Sequence, residues 1–320
     1  MRRLRPETRA RAARRRSRLV LAAAAGTALA ATAIAIAAPQ ASARAVTKAA
    51  GSPYVALGDS YVAGPLIPHV VFGPHDPLGC LRSDANYAHL VAAALGLSLT
   101  DMSCIGAETG NMTNPQNVTI GINPPQLSAI TAATRVVTMS IGGNDIGFSE
   151  IVRNCSAKSP TGPTPVGPNC TSYYDANGND IIGQRIANIT PVITSIVQQI
   201  HTLAPQAKVF LVTYPDVLPL TGSGCWPSVP VEASDLPYLT SKQIQLNTMF
   251  KTVAAANKAF FVNTYQPSVG HDACSAAATR WVEPIFLPTA LHAAPLHPNG
   301  TGMAGEAAVI VSAMRKHGIT

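Results

Sequence analysis

Five short runs of β-forming residues alternate with longer stretches of helical spacing, and this alternation constrains the fold more than any other feature of the sequence. The runs are Tyr54 to Leu57, Ser98 to Ser103, Arg135 to Ser140, Lys208 to Thr213 and Phe260 to Asn263. The helical stretches include Asn86 to Leu95, Asp180 to Leu203, Asp235 to Ala256 and Gly302 to Met314. Strands joined through helices run parallel, because the intervening helix carries the chain back to the edge it started from. The run Val209-Phe210-Leu211-Val212 has no polar residue, as expected of a strand covered on both faces. The expected fold is therefore a three-layer α/β/α sandwich with a central parallel sheet of about five strands.

The N-terminal region does not share this rhythm. Residues 2 to 18 hold nine arginines and one acid, Glu7, and are followed by an apolar stretch from Leu19 to Ala38 and the small-residue run Ala41-Ser42-Ala43. That is the layout of a cleavable export signal, so residues 1–43 are expected to be a signal peptide and 44–52 a flexible mature N-terminus. An uncleaved anchor is the alternative, since about 20 apolar residues can span a bilayer. Residues 53–320 are then one domain of ample size for its own core. The formal charge of +7 belongs to the arginine segment. Without that segment, 14 basic residues face 15 acidic ones, and the electrostatic case for a nucleic-acid partner disappears.

All six cysteines follow the signal. An even number in an exported chain argues for three disulfides, out of 15 possible pairings. Loop closure and the positions of the strands favour sequential pairing: Cys80 with Cys104, Cys155 with Cys170 and Cys225 with Cys274. A zinc site would require ligand spacing such as CxxC, which the sequence lacks, so neither metal nor cofactor is expected. Residues 154 to 179 hold four prolines and residues 214 to 237 hold five. Both stretches read as long loops tied down by these disulfides.

Three sequence blocks fall where chemistry is commonly placed. The first strand ends in Gly58-Asp59-Ser60, which would put a hydroxyl at the carboxyl edge of the sheet, the edge that binds ligands in open α/β folds. Alone, the tripeptide is also ordinary turn chemistry, with Ser60 as a helix cap. The third strand ends in Gly142-Gly143-Asn144-Asp145, either a turn or an approach of backbone and the Asn144 amide to a developing oxyanion. Near the C-terminus, His297-Pro298-Asn299 precedes a helix of small residues. Rigid flanks there would present a general base, or simply a solvated loop histidine.

Together with Gly106 in Cys104-Ile105-Gly106-Ala107, these blocks occur in the order of the four blocks of the SGNH (GDSL-type) hydrolases. Over residues 53 to 316 the chain resembles the secreted actinobacterial esterases and lipases of that family. The resemblance implies a flavodoxin-like sheet, Ser60 as nucleophile and His297 as its base. It also implies an oxyanion hole formed by the N–H groups of Ser60 and Gly106 with the amide of Asn144. The expected reaction is hydrolysis of a carboxylic ester by a secreted monomer. The apolar residues Leu66, Ile67, Val70, Val71 and Phe72 after the nucleophile favour a lipid or other acyl ester, with possible contact with lipid surfaces. A carbohydrate esterase, a phospholipase or a non-catalytic envelope-binding protein are the alternatives. Trp226, Trp281 and Phe286 are candidates for the acyl pocket or for packing.

One position departs from the family pattern. The aspartate that most members place three residues before the histidine is Ala294 here. Three accounts are open: a main-chain carbonyl, by position that of Ala294, accepts the His297 Nδ1 proton; Glu283 or Asp272 folds back to do so; or His292 is the true base. The first predicts a Ser-His dyad completed by backbone. Asp59 and Asp145 read as loop-holding carboxylates.

Overall fold

The computed structural model describes residues 51–73, 76–156, 170–222, 224–286 and 292–320. The expected signal peptide and residues 44–50 of the flexible N-terminus lie outside them. The described residues fall in one compact unit, Ala49–Thr320, and none of their helices is long and apolar enough to cross a membrane.

The central sheet is built from β1 (Pro53–Gly58), β2 (Ser98–Asp101), β5 (Val136–Ser140), β8 (Lys208–Val212) and β9 (Phe260–Val262) in the order β2-β1-β5-β8-β9. Every pairing is parallel. Among the sheet strands taken in chain order this is 2-1-3-4-5, the doubly wound flavodoxin-like order, whose switch point lies beside β1. Two-residue ladders β3 (Gln116–Asn117) with β4 (Ile122–Asn123), and β6 (Asp175–Ala176) with β7 (Asn179–Asp180), lie outside the sheet.

The helices are α1 (Ser60–Ala63), α2 (Tyr87–Leu95), α3 (Phe148–Cys155), α4 (Cys170–Tyr174), α5 (Ile181–Leu203), α6 (Leu236–Ala256), α7 (Tyr265–Ser268) and α8 (Gly300–Lys316). Side chains on a strand alternate between faces, so β1 feeds two separate cores. Val55 and Leu57 join residues of α5 and α6, such as Ile193 and Phe250, on one face. Tyr54 and Ala56 join residues of α2 and α8, such as Val91 and Ile310, on the other. The buried Tyr54 hydroxyl is satisfied by Thr138 Oγ1 of the neighbouring strand at 2.8 Å. Asn86, Asp180 and Asn299 cap α2, α5 and α8 through side-chain oxygens that accept from His89, Gly183 and Gly302 N–H.

Disulfides join Cys80 to Cys104, Cys155 to Cys170 and Cys225 to Cys274. Among the elements not expected from the sequence are two helices. α3 follows the Gly142–Asp145 turn directly, and α4 lies inside the proline-rich stretch that reads as a loop.

Candidate active site

The register of the sheet assembles the site. Gly58 is opposite Ser140, so the turns after β1 and β5 leave the sheet side by side, with Asp59 N–H donating to Ser140 O at 3.2 Å. On the other side the ladder continues past β2: Met102 N–H donates to Ala56 O at 2.8 Å and Cys104 N–H to Gly58 O at 3.1 Å. This carries the Ile105-Gly106 turn to the same edge, and the Cys80–Cys104 bond pins it there. Gly106 has φ +73° and Gly142 has φ +113°, conformations that a side chain would strain. A Cβ on Gly142 would also come within 2.9 Å of Ile189 Cδ1.

Ser60 begins α1 and is buried, while Asp59 rather than Ser60 caps that helix by accepting from Tyr61 N–H at 2.9 Å. The Ser60 hydroxyl is therefore free of capping duty. It lies 2.8 Å from His297 Nε2. Asn144 Nδ2 donates to Ala107 O at 2.9 Å, which ties the turn after β5 to the Gly106 turn and leaves one amide hydrogen uncommitted. The N–H groups of Ser60 and Gly106 have no acceptor among the described residues. Asp145 accepts from Thr109 N–H and Oγ1, so it holds the Gly106 loop, as Asp59 holds α1.

The partner of the imidazole differs from the expected one. His297 Nδ1 lies 2.8 Å from the main-chain oxygen of Pro295, not that of Ala294. The Ala294 carbonyl is already used, because it accepts from His297 N–H at 3.0 Å and closes the turn that presents the ring. The turn aims the Ala294 oxygen at the His297 main-chain N–H and places the next one, on Pro295, beside Nδ1. Among the described residues no acid reaches the ring. Glu283 is engaged by Arg280 Nη2 at 2.7 Å and Asn299 Nδ2 at 2.9 Å. Asp272 accepts from Cys274 N–H at 2.7 Å, and His292 is an exposed loop residue.

Aromatic rings enclose the histidine. The Tyr61 ring lies 4.9 Å from it, and Phe148 meets it edge-on at 5.9 Å. Burial pushes the His297 pKa from 6.5 down to about 4, against which the Pro295 carbonyl acts weakly. Tyr61 Oη donates to Leu296 O at 2.6 Å, fixing the histidine loop to the helix that carries Ser60. Tyr214, at the carboxyl end of β8, links the other turns. It donates to Asp59 Oδ2 at 2.5 Å and accepts from Gly143 N–H at 2.9 Å. Burial raises the Asp59 carboxyl to about 7, against the hydrogen bonds from Tyr214 and Tyr61. The sequence reading missed Tyr214. The rule that selected Ser60 and Asn144, polar residues at the carboxyl ends of strands, would have found it.

An apolar cavity of ≈ 110 Å³ opens beside this pair, with Tyr61, Gly143 and Leu296 at the catalytic end and residues of α3, α5 and α6 along its walls. It is smaller than the roughly 300–1,000 Å³ of pockets that enclose whole drug-sized ligands, so it suits one group of an ester rather than the entire molecule. The residues expected to favour an acyl chain do not form it. Ile67 packs between α2 and α8, and Leu66 and Phe72 are exposed. Trp281 stacks on His271 and packs against Gly302 and Gly305, and Phe286 is exposed while its neighbour Ile285 lines the cavity. The loop after Ser60 turns to the α2/α8 side of the sheet, whereas the cavity lies on the α5/α6 side.

Comparison with known proteins bears on the family and the fold. The family described as the GDSL-like Lipase/Acylhydrolase family matches residues 56–304. "Lipase 2" of Streptomyces coelicolor is 36% identical over 253 residues, 78% of this chain and 81% of that protein. Phospholipase A1 from Streptomyces albidoflavus has the same fold, with a TM-score of 0.66 at 24% identity over 82% of this chain and 100% of that one. An extracellular lipase from Streptomyces rimosus superposes with a TM-score of 0.59 at 25% identity, again over 82% of this chain and 100% of that one.

Proposed function

This chain belongs to the GDSL-like lipase/acylhydrolase family, and on that premise we propose that it is a secreted serine esterase or lipase that cleaves acyl esters through an acyl-enzyme on Ser60. The observation that carries the reading is the 2.8 Å contact between Ser60 Oγ and His297 Nε2, whose chain neighbours Tyr61 and Leu296 line an apolar cavity. In the proposed mechanism His297 removes the Ser60 proton as Oγ attacks the ester carbonyl, because a neutral hydroxyl is a weak nucleophile without a base in reach. The negative charge that forms on the carbonyl oxygen is met by the Ser60 and Gly106 N–H groups and the free amide hydrogen of Asn144. His297 then returns the proton to the leaving alcohol. Water repeats the sequence to release the acid. The Pro295 carbonyl fixes the tautomer, with the proton on Nδ1, and supplies no full negative charge. Three disulfides, which persist in oxidising compartments, and the extracellular relative from Streptomyces rimosus support action outside the cytoplasm.

A fluorophosphonate probe tests the nucleophile. The wild-type chain should be labelled at Ser60 and the Ser60→Ala chain should not. A wild-type chain that resists the probe would remove the enzymatic reading.

The pH profile tests the dyad. Burial depresses the His297 pKa, so the neutral, base-competent form persists well below the ordinary 6.5. Activity measured as kcat/KM on a short ester should hold at its plateau through the mildly acidic range and fall only as pH drops through about 4. A carboxylate beside Nδ1 would act in the opposite sense, holding the proton and raising the pKa. An acid limb at or above neutrality would therefore show that an acid assists the histidine after all.

A further inference from the structure

The apolar cavity is lined by three helices that run away from the Ser60–His297 pair, and the side chains most distant from that pair bear on acyl length. Phe148, Ile151, Val152 and Cys155 of α3 line it at the spacing of a single helix face. Phe148 touches the His297 ring, and seven residues of α-helical rise place Cys155 about 10 Å further along. α5 runs alongside: Ile189 lies under Gly142 at the catalytic end, and Ile182, seven residues earlier, lines the cavity at the other. α6 does the same. Asn247 grips the Tyr214 main chain with hydrogen bonds of 3.0 Å to its N–H and its carbonyl, while Leu239 and Lys242 line the cavity further out.

At that far end one charge pair bridges two of the helices. Lys242 Nζ donates to Asp180 Oδ2, and Asp180 also caps α5 and accepts from Tyr238 Oη at 3.1 Å. The ammonium lies 5.1 Å over the Tyr238 ring, so both the carboxylate and the ring hold it in place. Lys242 is the one charged residue in a lining that is otherwise nearly all apolar.

We propose that Lys242, clamped by Asp180, is the specificity-determining residue of the acyl pocket and limits it to a chain of roughly eight carbons, the length that about 10 Å of helix wall accommodates. Within the pocket each methylene gains an apolar wall. Beyond Lys242 a chain would have to displace a paired ammonium, which offers no such gain. The inference rests on the acyl-ester reading above.

The test compares kcat/KM for p-nitrophenyl butyrate, octanoate and laurate. The wild-type protein should prefer octanoate. Lys242→Ala should raise the laurate-to-octanoate ratio about tenfold, the scale on which methylenes are discriminated in apolar pockets. Asp180→Asn keeps an oxygen to cap α5 but releases the ammonium, and should move the ratio the same way by a smaller factor; it also decides the matter if the lysine variant fails to fold. Lys251→Ala, exposed on the same helix, should leave the ratio at the wild-type value. An active wild-type protein whose ratio does not move in either pocket variant would overturn this assignment and leave the esterase reading standing. A wild-type protein inert to all three esters would overturn both.

Discussion

Replacing His297 with Ala is expected to lower kcat/KM toward p-nitrophenyl butyrate by about four to six orders of magnitude, the loss seen when a hydrolase serine is deprived of its base. The ring makes its functional contact with Ser60 Oγ and is otherwise held by stacking and by the Pro295 carbonyl, so the melting temperature should change by only a few degrees. Serine and histidine act as a unit. The double variant with Ser60→Ala should accordingly be no worse than either single one.

The same assay settles what completes the pair. Asp272→Asn, His292→Ala and Glu283→Gln should each keep turnover of the folded protein within about fivefold, since none of these groups meets the imidazole. Glu283→Gln should cost stability, because Arg280 would lose its buried carboxylate. A collapse of activity in a folded Asp272, His292 or Glu283 variant would mean that the Pro295 carbonyl is not the group that orients His297.

Asn144→Ala is expected to reduce kcat on the same ester roughly 100- to 1,000-fold while KM moves less than about twofold. The amide hydrogen not used by Ala107 has no partner until charge develops on the substrate oxygen, so its contribution belongs to the transition state. Steady-state kinetics separates the two cases: a loss confined to KM would place the amide on the ground-state ester and remove it from the oxyanion hole. The methyl side chain would also release Ala107 and loosen the Gly106 turn, which makes the kcat loss larger rather than smaller.

Much of this was legible before any coordinates. The strand runs were recognisable from their β-forming residues, most clearly in β8, which is buried and apolar from Val209 to Val212, and the observed strands fall within or one residue beyond the expected ones. The helices after Asn86, Asp180 and Asp235 were legible from their apolar spacing. α3 was not. Its apolar residues Phe148, Ile151, Val152 and Cys155 do have helical spacing, but the segment is eight residues long and follows a Gly-rich turn, too short a stretch to stand out from the surrounding loops. The residues lining the cavity were not legible either: the apolar residues that follow Ser60 in sequence, which favour an acyl ester, do not line it, because the chain crosses to the opposite face of the sheet after α1.

What the sequence by itself determined is the identity of the groups proposed to react: a serine at the end of the first strand, a histidine before the last helix, and the glycines and asparagine between. Chemistry restricts these positions to very few residue types, and a restricted position can be read one residue at a time. What only the tertiary structure decided is which neighbour each group meets. The Ala294 and Pro295 carbonyls are chemically alike, and the choice between them came from a turn that consumes one and leaves the other facing Nδ1. Tyr214 joins two turns because parallel register brings three strand ends to one edge. Lys242 lines the cavity beside apolar residues of α3 and α5 and pairs with Asp180 at the start of α5, a meeting of distant segments that the sequence does not show. Backbone acceptors and packed apolar faces carry no residue-type signature, so their roles are set by geometry across long stretches of chain rather than by the local pattern of side chains.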